Sequence, residues 1–294
     1  MVRRAAESVP EPDAAEEEAT GAVDDSPGAS AEGGRPGYYI AAIGRALAVL
    51  DAFSPERPEL ALRDVAAAAD VTQPSALRIG YTLVREGFLV RNPLTKGYRL
   101  GPKAISVGMA TLGSMTLPEI AEPYLVDLRD RTGETVKLAI HHGATVVFVS
   151  RVPSLQHPSS AHHIGTRLPI HATSLGRAIL ARLPEDDAER LVAESAEAQL
   201  TARAPSREAV LAELPRIRER GYAVNDQGTS LEHRSVAAPL VGPDGAVVGA
   251  VNLSVSAHRM SAKEMEATLA PEVVADAEAI SAVLPPDVQG RGWS

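Results

Sequence analysis

Small polar residues lead into an apolar helix pattern near the middle of the chain. His171, Thr173, Ser174 and Gly176 lie at its start. Threonine and serine are favoured N-caps, and the unpaired N–H groups and positive end of a helix dipole attract carboxylates. Gly176 would let a ligand approach the backbone closely. These residues predict a carboxylate-binding site. Simple capping of a buried helix explains the same pattern, so both interpretations stay open at this point.

Polar residues also alternate with aliphatic ones in two strand patterns nearer the C-terminus. Asn252 and Ser254 share one face of a strand, and His233 and Ser235 share a face of the strand predicted to pair with it. This follows because successive side chains of a strand point to opposite faces. Polar groups inside an aliphatic sheet need hydrogen-bond partners, and a bound small acid is one candidate.

A second set of polar residues occupies a helix pattern and the basic hairpin pattern that follows it. Gln and Arg can bond the edges of adenine and guanine in two places, while hairpin cations suit phosphates or the minor groove. The predicted DNA-binding residues are Thr72, Gln73, Ser75, Arg78 and Arg85 in the helix and Arg91, Lys96 and Arg99 in the hairpin.

Residues 62–100 contain the elements that would position these side chains. They read as a helix over 62–69, a break at Asp70 and Val71, a helix over 72–86 and strands over 88–91 and 98–100. Thr72 is the predicted N-cap of the second helix, and Gly87 its left-handed C-cap. Two helices with a short turn and a following hairpin predict a winged helix-turn-helix. An amphipathic helix pair with a solvated basic face is the alternative.

The net charge of −9 is unevenly distributed along the chain. Residues 1–37 carry nine acids and three bases, whereas residues 38–103 carry nine bases and six acids, a net charge of +3. The positive segment coincides with the predicted winged helix, as a DNA-binding domain requires. The acidic tail 1–37 has almost no large apolar residue, so we expect it to be disordered.

The composition excludes several kinds of protein. Hydrophobic residues make up 45% of the chain, as in globular proteins, and cysteine is absent. Disulfides, thiolate catalysis and cysteine-ligated zinc are therefore ruled out. No apolar run approaches 18 residues, and no hydrophobic segment follows the N-terminal arginines. These patterns predict a cytoplasmic protein that does not cross a membrane.

A crowd of histidines gives the competing hypothesis, which is a metal sensor. Six of the eight histidines lie within 31 residues, at His141, His142, His157, His162, His163 and His171. Histidine is a common metal ligand, but no His-x-x-x-His or His-Glu-x-x-His spacing occurs. Gly-x-Ser-x-Gly, phosphate-loop and Gly-x-Gly-x-x-Gly motifs are also missing, so we expect no hydrolase and no nucleotide cofactor. A small-molecule enzyme or a metal sensor with a helical interaction head remains the alternative function.

The flanking patterns complete the predicted organisation. A helix over 40–53, with Ile43, Leu47, Leu50 and Phe53 in one stripe, would support the helix-turn-helix from behind. Residues 102–116 predict a linker helix whose apolar side includes Ile105 and Met109. Residues 117–285 alternate hairpins with helices, which indicates an α+β domain with an antiparallel sheet. The last residues, 286–294, should be flexible.

Five short motifs in this order resemble the IclR family of bacterial transcription regulators. They are residues 44–50, 83–89, 98–101, 165–181 and 235–239, and the resemblance spans about residues 38–284. Residues 37–40 and 252–256 are most similar to the branch that controls protocatechuate, 4-hydroxybenzoate and β-ketoadipate catabolism. The resemblance implies operator DNA as a partner, a GAF-like effector domain and assembly as dimers or dimers of dimers. It also favours the pocket interpretation of residues 171–176.

One residue departs from the family pattern. Gly80 lies midway along the predicted recognition helix, where the family usually has a bulky apolar residue. Glycine in a helix interior costs about 1 kcal/mol relative to alanine, which predicts a looser or bent helix.

From the motifs and the family resemblance, we predict a ligand-responsive transcriptional regulator that senses a small carboxylic or aromatic acid and has no catalytic residues.

Overall fold

The computed structural model describes residues 39–156, 162–195, 200–286 and 288. The predicted tail 1–37, His157 and most of the predicted flexible C-terminus lie outside the described residues. The chain divides between Thr111 and Leu112 into two compact units. Within the described residues, no helix has the length and apolar character needed to cross a membrane.

The first unit is a winged helix-turn-helix. Its elements are α1 (Ala41–Asp51), α2 (Leu62–Ala69), α3 (Gln73–Arg85), β1 (Leu89–Arg91), β2 (Tyr98–Leu100) and most of α4 (Pro102–Gly113). Strands β1 and β2 pair antiparallel, with Val90 opposite Arg99. Asp70 ends α2 in the left-handed conformation, with φ of 51°, and so forms the tight turn between α2 and α3. A hydrophobic core that contains Val49, Leu83 and Tyr98 holds these elements together.

The end of α3 is built as the sequence predicts, and its start differs in one contact. Gly87 has φ of +79°, and the N–H of Phe88 donates to the carbonyl of Leu83 at 2.9 Å, which is a Schellman ending. Thr72 occupies the N-cap position but makes no capping hydrogen bond with its side chain. Its hydroxyl donates instead to Ser75 Oγ at 3.3 Å, so the predicted cap contact is wrong.

Two other expectations for this unit concern Gly80 and α1. Helix α3 runs through Gly80 without interruption, and Gly80 is buried and makes room for the ring of Tyr98. Ile43 and Leu47, predicted to face the core, are each 55% exposed, whereas Val49 is fully buried. Leu50 and Phe53 of the predicted stripe do pack against the core, so the buried face of α1 is turned toward Val49 and away from Ile43 and Leu47.

Helix α4 has no buried residue. Ile105 and Met109 are 69% and 60% exposed, so the apolar side of this helix faces solvent within the described chain. Leu112, at the start of the second unit, packs against that unit's core.

The second unit contains an antiparallel six-stranded sheet with helices on both faces. Its helices are α5 (Thr116–Thr132), α6 (Ser174–Leu180), α7 (Glu185–Glu194), α8 (Arg207–Arg220) and α9 (Ala262–Val283). Its strands are β3 (Thr135–His142), β4 (Thr145–Val152), β5 (Arg167–Pro169), β6 (Ala223–Asp226), β7 (His233–Val241) and β8 (Val247–Ser256). The strand order is β5-β4-β3-β8-β7-β6. The predicted α+β class is confirmed.

The two sheet faces bury separate cores. Residues such as Val136, Val251 and Val236 pack with α5 and α9 on one face. Ala139 and Ala250, of opposite parity, pack with α6, α7 and α8 on the other. Both faces are covered, so the strands are apolar over long stretches rather than strictly alternating. Polar residues on the second face therefore mark the place where its core ends.

The sequence did not indicate two short elements beside that face. A 3-10 helix over Ile170–Ala172 precedes α6, and β6 adds an edge strand beside β7. Both are three or four residues long, which is too short for a periodic pattern to be recognised.

Candidate functional site

A polar cavity opens on the second sheet face, where α6 meets the ends of β3, β6, β7 and β8. The space between its walls, open solvent included, is about 390 Å³. Its lining residues are Lys137, Phe148, His162, Leu168, Thr173, Ser174, Leu175, Asn225, Thr229, His233, Arg234, Ser235, Asn252 and Ser254. Three of these fourteen are apolar, so the cavity is unlike the aliphatic core beside it.

Six of the eight residues predicted to bind an effector line this cavity. They are Thr173, Ser174, His233, Ser235, Asn252 and Ser254. The sheet register explains the convergence, because Ser235 lies opposite Ser254, and His233 and Asn252 are two residues away on the same face. The alternation of polar and aliphatic residues thus located one wall of the cavity from sequence.

Helix α6 supplies the opposite wall. Thr173 Oγ1 accepts a hydrogen bond from the Gly176 N–H at 2.8 Å, which confirms Thr173 as the N-cap. Ser174 Oγ lies 2.7 Å from Ser235 Oγ and joins the helix to β7 across the cavity. The helix has only seven residues, and Thr173 already occupies one of its first N–H groups.

His171 and Gly176 do not line the cavity. His171 is buried in the 3-10 helix, where its Nδ1 lies 2.7 Å from Ser195 Oγ and burial lowers its pKa. A Cβ on Gly176 would overlap the carbonyl oxygen of Ile170, so glycine is needed here for close packing between two backbone segments. The close approach predicted for a ligand is made by the protein's own chain.

Lys137 is the cavity residue that sequence analysis missed. It is 3% exposed and lies on β3 directly opposite Asn252 of β8. Its Nζ lies 5.8 Å from the centre of the Phe148 ring. Across the described ranges, which omit 157–161 and 196–199, Lys137 forms no hydrogen bond or ion pair with another side chain. Burial, with a smaller effect from the Arg151 charge, lowers its pKa to about 8. A lysine in the otherwise apolar run 136–140 was the available signal.

Asn252 also has an unsatisfied group at the cavity. The residue is 5% exposed, and its Oδ1 accepts no hydrogen bond from the described part of the chain. The other amide on this wall, Asn225, is satisfied, since its Nδ2 donates to Thr229 Oγ1 at 3.0 Å. A buried ammonium and a buried amide oxygen, side by side on paired strands, are therefore both available to a ligand.

Arg177, the residue after Gly176, is a cation near the cavity that is already paired. Its guanidinium is buried and pairs with Glu213 at 3.0 Å. It also donates to the carbonyls of Thr173 and Val224. Arg177 holds the cavity wall in place from behind, since Thr173 itself lines the cavity.

The histidines are dispersed in the structure. His141 lies on β3, where burial lowers its pKa, and His162 stacks on Phe148 with ring centroids 5.6 Å apart. Among the residues with described positions, no three His, Asp or Glu side chains are arranged to hold a metal ion. His157 lies outside that set.

The predicted DNA-binding residues lie in the first unit, and most of them are exposed. Thr72, Gln73, Arg78 and Arg85 are exposed along α3, and Ser75 is half-buried. Their exposure separates them from Ala76 and Leu83, which α3 turns toward the core. Arg78 and Arg85 are seven residues apart and so share the exposed side of the helix, and arginine is a side chain suited to contacts with base edges.

Glu59 orders the hairpin that carries the remaining predicted residues. Its carboxylate accepts hydrogen bonds from the Thr95 hydroxyl and, at 3.1 Å, from Asn92 Nδ2, and these bonds lower its pKa. It also lies 4.0 Å from Arg99. The exposed cations Arg91, Lys96 and Arg99 are therefore displayed on a turn whose tip is fixed to the chain before α2.

Two family models match this chain. The IclR helix-turn-helix domain matches residues 42–93, and the bacterial transcriptional regulator IclR C-terminal domain matches residues 109–282, more than half of the chain. The chain belongs to the IclR family of bacterial transcriptional regulators. The first IclR match includes the whole of α3, and the second includes every residue that lines the cavity.

Relatives within the IclR family are similar over most of their length. XynR of Escherichia coli K12 is 30% identical over 77% of this chain and 90% of its own. The Pca regulon regulatory protein of Pseudomonas putida is 27% identical over 81% of both chains. A solved structure of a regulator from Rhodococcus sp. RHA1 is 35% identical, with a TM-score of 0.69 over 83% of this chain and 98% of its own. These relatives are transcriptional regulators rather than enzymes.

Proposed function

We propose that this IclR-family chain binds operator DNA through α3 and the hairpin, and that a small organic acid in the cavity changes its affinity for that DNA. The observation that carries the effector half of the proposal is Lys137. It is a buried cation in a polar cavity, with no carboxylate beside it in the described chain. Burying an ammonium without a counter-ion is costly, and a carboxylate ligand would offset that cost.

The DNA half rests on the polar side of α3. Gln73 and Arg78 are exposed on the helix and can form two hydrogen bonds with adenine and guanine, respectively. Thr72, Ser75 and Arg85 would contact nearby phosphates or base edges, while Arg91, Lys96 and Arg99 on the hairpin would contact the backbone. One such head reads few base pairs, so specific binding requires at least two copies.

Exposed apolar residues support self-association. Ile43 and Leu47 on α1, and Ile105 and Met109 on α4, form two apolar stripes open to solvent in the single chain. Apolar surface of this kind commonly marks a protein–protein interface. We infer that these stripes are covered by a second copy, which would bring two DNA-binding heads together.

The proposed control is a population shift. An acid can change DNA affinity only if it binds one arrangement of the paired heads more tightly than another. A tenfold effect on operator binding requires a difference of about 1.4 kcal/mol between the two affinities for the acid.

Fluorescence anisotropy with the purified full chain tests the proposal. The probes are its own upstream intergenic DNA and a random duplex of equal length, each at two salt concentrations. Protocatechuate, 4-hydroxybenzoate, β-ketoadipate and D-gluconate are added separately. We expect the chain to bind the upstream DNA more tightly than the random duplex. This binding should weaken steeply as the salt concentration rises, and at least one acid should change the affinity for the upstream DNA. Equal binding to both duplexes, or operator binding that no acid changes, would contradict the DNA half or the effector half, respectively.

A further inference from the structure

The cavity differs in chemistry from a pocket for an aromatic ring. Small-molecule sites are usually lined by apolar and aromatic side chains with a few polar groups. Here hydroxyl, amide and charged side chains predominate, and Phe148, Leu168 and Leu175 are the three apolar contributors. A benzene ring in this space would separate the polar groups from water without giving them partners, which is unfavourable.

Two groups that have no hydrogen-bond partner among the described residues lie on neighbouring strands. Lys137 and Asn252 are directly opposite on β3 and β8, so their side chains leave the same sheet face a few ångströms apart. The ammonium has only hydrogens to donate, and the amide Oδ1 can only accept. A ligand that satisfies both must present an acceptor and, on a neighbouring atom, a donor.

Five of the other polar residues that line the cavity carry hydroxyls, which can both donate and accept. Ser174 and Ser235 share one hydrogen bond at 2.7 Å, which leaves further lone pairs on both oxygens, and Ser254 lies beside Ser235 in the register. Arg234 lines the cavity, but its guanidinium is engaged by Asp226 and by the carbonyls of Ala257 and Met260. Lys137 is therefore the cation available to a carboxylate.

We propose, building on the effector role assigned above, that the cavity binds an aliphatic 2-hydroxycarboxylate. Its carboxylate accepts from Lys137 Nζ, and its 2-hydroxyl donates to Asn252 Oδ1. Further hydroxyls along the carbon chain are bound by the serines between α6 and β7. The class extends from glycolate and lactate to aldonic acids such as D-gluconate.

Isothermal titration of the full chain with matched pairs of acids tests this assignment. The 2-hydroxy acids are glycolate, the two enantiomers of lactate and D-gluconate. Their partners without the 2-hydroxyl are acetate, propionate and 2-deoxy-D-gluconate, and 4-hydroxybenzoate is the aromatic probe. At least one 2-hydroxy acid should bind about tenfold or more tightly than its partner, because a buried acceptor is left unpaired without the hydroxyl.

Two variants separate the roles of the two residues. Lys137→Met should abolish binding of both members of a pair, whereas Asn252→Ala should lower affinity for the hydroxy acid to that of its partner. Lys263→Met, on the exposed first turn of α9, is the matched control and should change neither. Circular dichroism of each variant confirms that it is folded.

The outcomes distinguish this inference from the broader proposal. Equal affinity within every pair, or tighter binding of 4-hydroxybenzoate than of any hydroxy acid, would overturn the 2-hydroxy assignment while leaving an acid-responsive regulator. The assignment would also be overturned if Asn252→Ala lowered the affinity for both members of a pair by the same factor, so that the hydroxy acid was still preferred. If no acid in the calorimetric panel binds the folded wild-type chain, the 2-hydroxy assignment fails. The effector half of the proposed function fails only if 4-hydroxybenzoate, protocatechuate and β-ketoadipate also leave DNA binding unchanged in the anisotropy experiment.

Discussion

Gly80 and Tyr98 occupy complementary space in the core of the DNA-binding unit. A Cβ built on Gly80 would lie 2.7 Å from Tyr98 Cζ, and Tyr98 is only 2% exposed. Tyr98 is in turn fixed by backbone hydrogen bonds with Leu60 at 2.8 and 2.9 Å. The glycine in the recognition helix is therefore matched to a tyrosine in the hairpin strand.

This match predicts that Gly80→Ala destabilises the chain when residue 98 is tyrosine and stabilises it when residue 98 is a smaller residue. In the wild type, overpacking against the ring should cost about 1–3 kcal/mol and outweigh the helix-propensity gain of about 1 kcal/mol. In a Tyr98→Leu background, the clash is gone and Gly80→Ala should stabilise. Hydrogen exchange of peptides within residues 73–100 measures both effects. Gly108→Ala on α4, where an added Cβ meets nothing, is the control. An unchanged effect in the two backgrounds would disprove the coupling.

Replacement of Arg78 separates base reading from backbone attraction. Arg78→Ala should reduce the preference for operator over random DNA by about 1–3 kcal/mol if the side chain binds guanine. Lys96→Ala should weaken binding to both duplexes alike and lower the salt dependence by about one unit. Arg190→Ala, on an exposed helix of the other unit, should change neither. An Arg78→Ala variant that keeps full discrimination would remove Arg78 from the reading surface.

The pKa of Lys137 predicts how acid binding depends on pH. The protonated amine attracts the carboxylate, so affinity should be level below about pH 8 and fall above it by up to about tenfold per pH unit. His162 and His233 also face the cavity; burial lowers the pKa of His233, so its proton is lost at lower pH. Arg234 also lines the cavity, and the charge of Arg151 acts on Lys137. Titration calorimetry from pH 7.5 to 9.5 measures the slope, and a flat profile would show that the ammonium does not contact the ligand.

The same shift has the opposite sign for stability of the ligand-free chain. Between about 8 and the usual value of 10.5, the unfolded chain holds a proton that the folded chain has released. Stability should therefore rise with pH across this window, and Lys137→Met should remove that rise. Urea unfolding at several pH values, compared with Lys263→Met, provides the measurement.

Charges placed in the apolar stripes should disrupt self-association. Leu47→Glu and Met109→Glu should each shift the chain toward monomers, because a carboxylate would be buried in the proposed interface. Leu231→Glu is a matched control, since Leu231 is as exposed as Leu47 but lies outside both helices. Sedimentation velocity distinguishes the assemblies. A monomeric wild type, or a control that dissociates equally, would count against these stripes as the interface.

The elements that could be predicted from the sequence are those with local causes. Helix α8 begins and ends where Ser206 and Gly221 cap it, and α3 ends at the Gly87 Schellman motif. The polar wall of the cavity was also accessible, because strand alternation places Asn252 and Ser254 on one face.

What the sequence left undetermined depends on contacts between distant residues. Whether Lys137 is solvated or buried is decided by α6 lying across the sheet, and no local pattern reports that packing. His171 and Gly176 are next to the cavity in sequence, yet their partners Ser195 and Ile170 direct them elsewhere. The buried side of α1 likewise depends on which neighbouring helix it meets, so its apolar stripe alone placed Ile43 and Leu47 wrongly.

The Glu59 carboxylate has a consequence for how tightly and how selectively this regulator binds. It fixes the hairpin tip through Thr95 and Asn92, but it also places a negative charge 4.0 Å from Arg99 on the surface meant for a polyanion. The same carboxylate therefore orders the hairpin and weakens the attraction between Arg99 and a DNA phosphate. Glu59→Gln should strengthen binding to random duplexes while the loosened tip reads its operator less well. Lower affinity for nonoperator DNA would let the protein dissociate from it more readily, at the cost of weaker binding overall.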